Sequence, residues 1–250
     1  MNTKATSIYG SVTKAMILAA GLGTRLKPWT NRHPKALAIV NGKSLLQRNV
    51  EYLQQHGVKD IIVNVHHFAQ ELIEAINYNH GWGSNISISD ERDAVLETGG
   101  GLKKAEPYLK DAANFILMNA DVLTDMPLSD MIEDHLINKP LATLATTNRK
   151  TSRYFLFNDA NQLSGWTNVE KGDTKISRPA AHYEKKAFSG IHIISNRLFP
   201  TLQQDGKFSI VDAYLTLSAT ENIRSFDHSQ SHFIDVGKPE NIVKAEAIFK

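Results

Sequence analysis

The chain contains no cysteine. Disulfides, thiolate nucleophiles and cysteine-type zinc sites are therefore excluded, and the composition fits a reducing compartment, so the expected location is the cytoplasm. It also has no run of about 18 apolar residues, the minimum for a helix that spans a bilayer, so no membrane partner is expected. Neither sign of charge dominates: 28 Lys plus Arg stand against 26 Asp plus Glu, a net +2. That balance lacks the basic excess by which a protein is held on a polyanion, which argues against nucleic acid as the partner. Ten histidines are present. Their spacing, as at His66-His67 or His33, matches no H-E-x-x-H ligand pattern, and we expect them to be structural or solvent-facing.

What remains is a chain of 250 residues, 42% of them hydrophobic, enough to bury roughly three quarters of its extended surface. Its polar start, "MNTKATSIYGSV", has no apolar periodicity and is expected to be a flexible extension over residues 1–13, with one domain over residues 14–250. Apolar "AMILA" (Ala15 to Ala19) suits a strand buried on both faces. "SLLQRNVEYLQQHG" suits a helix with Ser44 as its N-cap and Gly57 as its stop. Strands at "DIIVNV", "ISIS", "NFILMNAD" and "LATLATT" then alternate with helices at "FAQELIEAI", "GGLKKAEPYL" and "LSDMIEDHLIN". This alternation predicts an α/β fold, a Rossmann-like, mostly parallel sheet with helices on both faces. Beyond Thr147, "RYFLFNDANQLSGW" predicts a β-hairpin excursion. "FSGIHIIS" and "HFIDVG" return to strand character, and "PENIVKAEAIF" predicts a closing helix with Pro239 in its first turn.

The chemistry concentrates in "LAAGLGTRLKPWT", Leu18 to Thr30. Gly21 and Gly23 supply the first two glycines of a dinucleotide fingerprint, but Leu26 stands where the third should be. The next strand ends in Asn64, His66 and His67 rather than in an acid for a ribose, which disfavours an NAD(P) oxidoreductase. No G-x-x-x-x-G-K-[ST] loop occurs either. A tight glycine loop beside Arg25 and Lys35 suits a ligand with several adjacent phosphates, because arginine forks two oxygens while lysine acts as a point charge. Asp121 and Asp235 each follow a strand directly. They would lie at the carboxyl edge of the sheet, where α/β proteins bind ligands, and two aspartates plus phosphates suit magnesium.

"LAAGLGTRLKPWT" followed by "HPKAL" resembles the signature of the sugar nucleotidyltransferases, which join a nucleoside triphosphate to a sugar 1-phosphate and release pyrophosphate. The ordered segments "LETGGG" (Leu96 to Gly101), "NADV", "FSGI" and "DVG" resemble the bacterial N-acetylmuramate 1-phosphate uridylyltransferases and their relatives in particular. The resemblance implies a nucleotide-diphospho-sugar transferase-like fold, with UTP favoured and N-acetylmuramate 1-phosphate or a related hexose 1-phosphate as acceptor. It implies that Leu18, Ala20 and Gly21 touch the nucleotide, that Gly23, Thr24 and Arg25 wrap its phosphates, and that Lys35 reaches them from the side. Glu97, Thr98 and Gly99 would lie along base and ribose, Asn119, Ser189 and Gly190 would line the acceptor pocket, and Asp121 and Asp235 would hold Mg2+. Arg25, Lys35, Asp121 and Asp235 form the expected catalytic set. The Glu-Lys-Pro whose lysine grips the sugar phosphate in many relatives is missing near Asn168, which leaves Lys171, Arg178 and Lys186 as substitutes. Two other readings stand beside this one: a CTP:phosphocholine cytidylyltransferase and a non-catalytic nucleotide-sugar-binding protein.

Overall fold

The computed structural model of the chain describes residues 12–250. Strand β1 (Val12–Leu18) starts two residues before the expected domain boundary, because Val12 is buried and pairs with Asn114. The rest of the expected extension lies outside the described residues. After a looped segment and a small ribbon, β2 (Ile39–Val40) with β3 (Lys43–Ser44), comes α1 (Leu45–Gln55). Its N-cap is Ser44, whose hydroxyl accepts the Gln47 N–H at 3.1 Å and so satisfies one donor the first turn leaves free. β4 (Asp60–Val65), α2 (Ala69–Tyr78) and β5 (Asn85–Asp90) follow. Next come α3 (Glu97–Lys104), α4 (Glu106–Leu109), β6 (Asn114–Asn119) and β7 (Val122–Thr124). The chain continues through α5 (Leu128–Asn138), β8 (Ala142–Thr147), and the antiparallel set β9 (Arg153–Phe157), β10 (Leu163–Asn168) and β11 (Asp173–Ile176). It closes with β12 (Glu184–Ser195), α6 (Ile210–Leu217), β13 (Ile223–Asp227), β14 (Phe233–Asp235) and α7 (Pro239–Ile248).

The body of the sheet runs β5-β4-β1-β6-β12-β8-β13, with every strand but β12 pointing the same way. Alternation along each central strand builds two cores. Ala15 and Ile17 of β1 and Ile116 and Met118 of β6 face α1, α2 and α5, whereas Met16, Phe115 and Leu117 face α3, α4 and α6. Helices therefore cover both faces, as the βα alternation requires.

Three features lie beyond the sequence reading. β12 is long and antiparallel: its second half sits between β6 and β8, while Glu184 to Lys186 pair with β9 and carry the expected hairpin. "HFIDVG" does not rejoin the main sheet; β14 pairs with β7 in a separate two-stranded ladder. α6 had no place in the expected element order.

His135, His192 and His228 are buried. His135 bonds Thr143 Oγ1 and His192 bonds the Tyr214 hydroxyl, so both are structural, as expected of the histidines. Burial lowers the three imidazoles to about 4, about 3 and about 4 respectively. With folded values below the unfolded one of about 6.5, the unfolded chain binds more protons, so stability present above pH 6.5 is lost as pH falls toward 4. Thermal melts at pH 7 and pH 5 should show a marked drop at pH 5, on the order of 2 kcal/mol per histidine. Equal melting temperatures would contradict this.

Candidate active site

The carboxyl ends of β1, β4 and β6 meet at one place. Leu18 lies beside Asn64 on one side and Asn119 on the other, and the glycine loop leaves the sheet from that point. Three hydrogen bonds fix its direction. The Asn64 side-chain carbonyl accepts the Ala19 N–H at 2.6 Å and the Ala20 N–H at 3.3 Å, and the Leu18 carbonyl accepts the Ala120 N–H at 3.1 Å.

Past this point the loop turns at Gly23, whose φ of +61° suits a residue without Cβ. A Cβ there would also lie 2.8 Å from Thr30 Cγ2 and 3.0 Å from Lys35 Cβ. Thr30 closes the turn by donating its hydroxyl to the Gly23 carbonyl at 2.9 Å. Lys35 is thus packed against the loop, and its ammonium forms an ion pair with Asp121. Leu26, fully buried, belongs to the same apolar cluster as Val236. This pins Arg25 near Asp235, whose carboxylate lies 3.6 Å from the guanidinium.

The two aspartates are brought together by backbone pairing. Asp235 ends β14 opposite Val122 of β7, and the Val236 N–H donates to the Asp121 carbonyl at 2.8 Å. Asp235 Oδ1 is buried and has no hydrogen-bond partner among the described residues.

A cavity of about 340 Å³ opens over this edge. Of the expected site residues it is lined by Leu18, Ala20, Gly21, Gly23, Thr24, Arg25, Lys35, Glu97, Thr98, Asn119 and Asp121. Four others lie outside its lining. Asp235 is represented at the cavity only through its pair with Arg25, 3.6 Å away. Gly190 adjoins Asn119, since a Cβ on it would lie 2.6 Å from Asn119 Nδ2. Ser189 is 1% exposed and its hydroxyl bonds His228 Nε2 at 2.8 Å. Gly99 faces away from the cavity: its N–H donates to the Phe208 carbonyl at 2.9 Å, and a Cβ would lie 2.3 Å from the Phe208 ring. Close approach at that glycine serves packing. Thr98 accepts the Ile210 N–H at 3.0 Å, so the start of α3 is zipped to the segment that leads into α6.

Sequence reasoning missed Glu91. It is 1% exposed, lines the cavity, and accepts from Asn64 Nδ2 at 2.7 Å, which orients the amide so that its carbonyl faces the loop. Burial pushes its carboxyl above the ordinary glutamate range. Gly101 makes room for the pair, because a Cβ there would lie 2.7 Å from Glu91 Oε1. The available signal was Asn64 itself, a polar residue inside an otherwise apolar strand.

The chain belongs to the nucleotidyl transferase family, whose model matches residues 14–249. Over 239 residues it is 30% identical to a mannose-1-phosphate guanyltransferase of Yarrowia lipolytica, covering 94% of this chain and 64% of that protein. The chain thus spans somewhat under two thirds of the length of the curated guanyltransferases it matches. Over 105 residues, 41% of this chain and 43% of that protein, it is 47% identical to the N-acetylmuramate alpha-1-phosphate uridylyltransferase of Caulobacter vibrioides. The structure of HddC from Yersinia pseudotuberculosis complexed with GMP-PN superposes with a TM-score of 0.76 at 26% identity, covering 96% of this chain and all of that one.

Asn64→Ala should leave the buried Ala19 N–H without an acceptor, at a cost of about 1–3 kcal/mol. Urea denaturation should show that loss together with weakened nucleotide binding; unchanged values for both would refute the loop-fixing role. Gly237→Ala should displace Asp235 and Arg25, because its Cβ would lie 2.6 Å from Asp235 Oδ1 and 2.8 Å from Arg25 Nη2. Both atoms end flexible side chains, so nucleotide binding should weaken while the melting temperature holds. Wild-type affinity in a titration would contradict it.

Proposed function

We propose that the chain catalyses nucleotidyl transfer from a nucleoside triphosphate to a sugar 1-phosphate, releasing pyrophosphate. The observation that carries this reading is the convergence, at one sheet edge, of the glycine loop, Arg25, the Lys35–Asp121 pair and Asp235.

The acceptor phosphate oxygen is already an anionic nucleophile, so no general base is needed. The obstacle is repulsion between two anions, which in-line positioning and fixed positive charge relieve. Backbone N–H groups of the loop, with Thr24 and Arg25, would hold the triphosphate. Lys35 would reach it from the side. Magnesium is usually held by one or two carboxylates together with phosphate oxygens. Asp121 and Asp235 fit that demand, since they lie on hydrogen-bonded backbones and Asp235 Oδ1 is a buried acceptor without a donor among the described residues. When bound there, the ion would neutralise phosphate charge.

Two choices of substrate are supported. The 47% identity over 105 residues favours UTP with N-acetylmuramate 1-phosphate or a related hexose 1-phosphate. The 30% identity over 94% of the chain favours GTP with mannose 1-phosphate as a second reading. A matrix of nucleoside triphosphates against sugar 1-phosphates, read as pyrophosphate release with magnesium present, tests both. No release with any pair would overturn the function.

With the active pair in hand, Asp121→Ala and Asp235→Ala should each lower kcat by on the order of 100-fold or more while circular dichroism stays native. Arg25→Ala should raise KM for the triphosphate and lower kcat together. Near-normal kinetics in any of the three would remove that residue from the mechanism.

A further inference from the structure

The acceptor brings an anion of its own, and no residue above receives it. Of the three substitutes offered by the sequence, two have their side-chain cations engaged elsewhere and the third lies in an exposed turn. Lys171 is exposed in the turn after β10, where its N–H donates to the Asn168 side chain. Arg178 donates to the carbonyls of Ser218 and Glu221 at 3.0 and 3.2 Å. Lys186 pairs with Glu184 at 3.1 Å.

A fourth cation occupies a different position. Arg149 lies two residues past the end of β8 and is half-buried. Its guanidinium carbon lies 4.9 Å from the centre of the Phe233 ring, two residues before Asp235, and Asp235 is within electrostatic reach. From the other side, Nη2 donates to the Phe188 carbonyl at 2.6 Å. Phe188 precedes Ser189 and Gly190, and Gly190 abuts Asn119, which lines the cavity. The guanidinium therefore bridges the segment beside Asn119 and the strand that carries Asp235.

Its electrostatic state is unusual. Arg149 forms no ion pair among the described residues, and its Nε is buried with no acceptor. Withdrawing a cation from water without a contact ion pair is unfavourable, and one aromatic face with the Asp235 carboxylate at longer range offsets only part of that. A bound anion would supply the rest. The planar fork suits a phosphate, whose oxygens accept two parallel N–H bonds.

We propose that Arg149 binds the phosphate of the sugar 1-phosphate acceptor and holds it beside Asp235, in the role for which Lys171, Arg178 and Lys186 are misplaced. This rests on the nucleotidyltransferase reading. Steady-state kinetics and calorimetric acceptor binding on wild type, Arg149→Gln and Arg149→Lys test it. For Arg149→Gln, KM for the acceptor should rise by about 10-fold or more while KM for the triphosphate changes by less than about 2-fold, with partial recovery in Arg149→Lys. An unchanged acceptor KM overturns the inference, and so does an equal rise in both KM values with a lowered melting temperature, the mark of a structural role. A loss confined to acceptors bearing a carboxylate on the sugar would overturn the assignment to phosphate. A wild-type protein that neither transfers a nucleotidyl group nor binds sugar 1-phosphates would sink the parent reading and this inference with it. An active enzyme indifferent to Arg149→Gln would sink this inference alone.

Discussion

The site depends on one short antiparallel ladder. β7 leaves the end of β6 and pairs with β14, which arrives from the far end of the chain, and the Val236 N–H to Asp121 carbonyl bond closes the pairing. Because a ladder fixes register residue by residue, Asp235 can face only the region of Asp121. The apolar residues beside the charged ones hold this in place. Leu26, Leu123 and Val236 share a buried cluster, so Arg25, Asp121 and Asp235 are each one or two residues from an anchored neighbour. Like-charged carboxylates brought together oppose folding, and the Lys35 ammonium beside Asp121 and the Arg25 guanidinium beside Asp235 relieve part of that repulsion. The same cations face the cavity that a triphosphate would enter.

A second constraint orders the loop. Glycine-rich segments are flexible in isolation, and a phosphate loop that had to freeze on binding would lose affinity to ordering entropy. Here the start is tied by the Asn64 amide, which Glu91 orients, and the turn by the Thr30 hydroxyl. The three consecutive glycines of "LETGGG" belong to this framework. Gly99 and Gly100 let α3 approach the segment that leads into α6, with a Cβ on Gly100 lying 2.0 Å from the Gly206 carbonyl, and Gly101 leaves room for Glu91.

Local patterning carried most of the fold because the βα half is built from short connections and clean periodicities. β4 and α5 fall on the segments read from the sequence, and Ser44 caps α1 as its side chain suggests. Where pairing is long-range, local pattern was silent. Nothing in "FSGIHIIS" says that it runs antiparallel between two strands of the other direction, and nothing in "HFID" says that it leaves the main sheet. α6 was missed because "IVDAYLTL" is apolar on most sides, as befits a helix with Ile210, Ala213, Tyr214 and Leu215 buried, so its period is masked.

The amino-acid sequence alone determined the α/β class, the glycine turn within Leu18 to Thr30, and the residue types proposed to meet a polyphosphate, because these follow from local periodicity, glycine placement and side-chain chemistry. It could name Asp121 and Asp235, but bringing them together took a backbone ladder between remote segments. Only the tertiary structure decided that Glu91 stands behind Asn64, that Ser189 is occupied by His228, and that Arg149 rather than Lys171, Arg178 or Lys186 sits between Phe188 and Phe233. Each of these depends on which strands lie side by side, and burial of apolar surface by the whole chain sets that order.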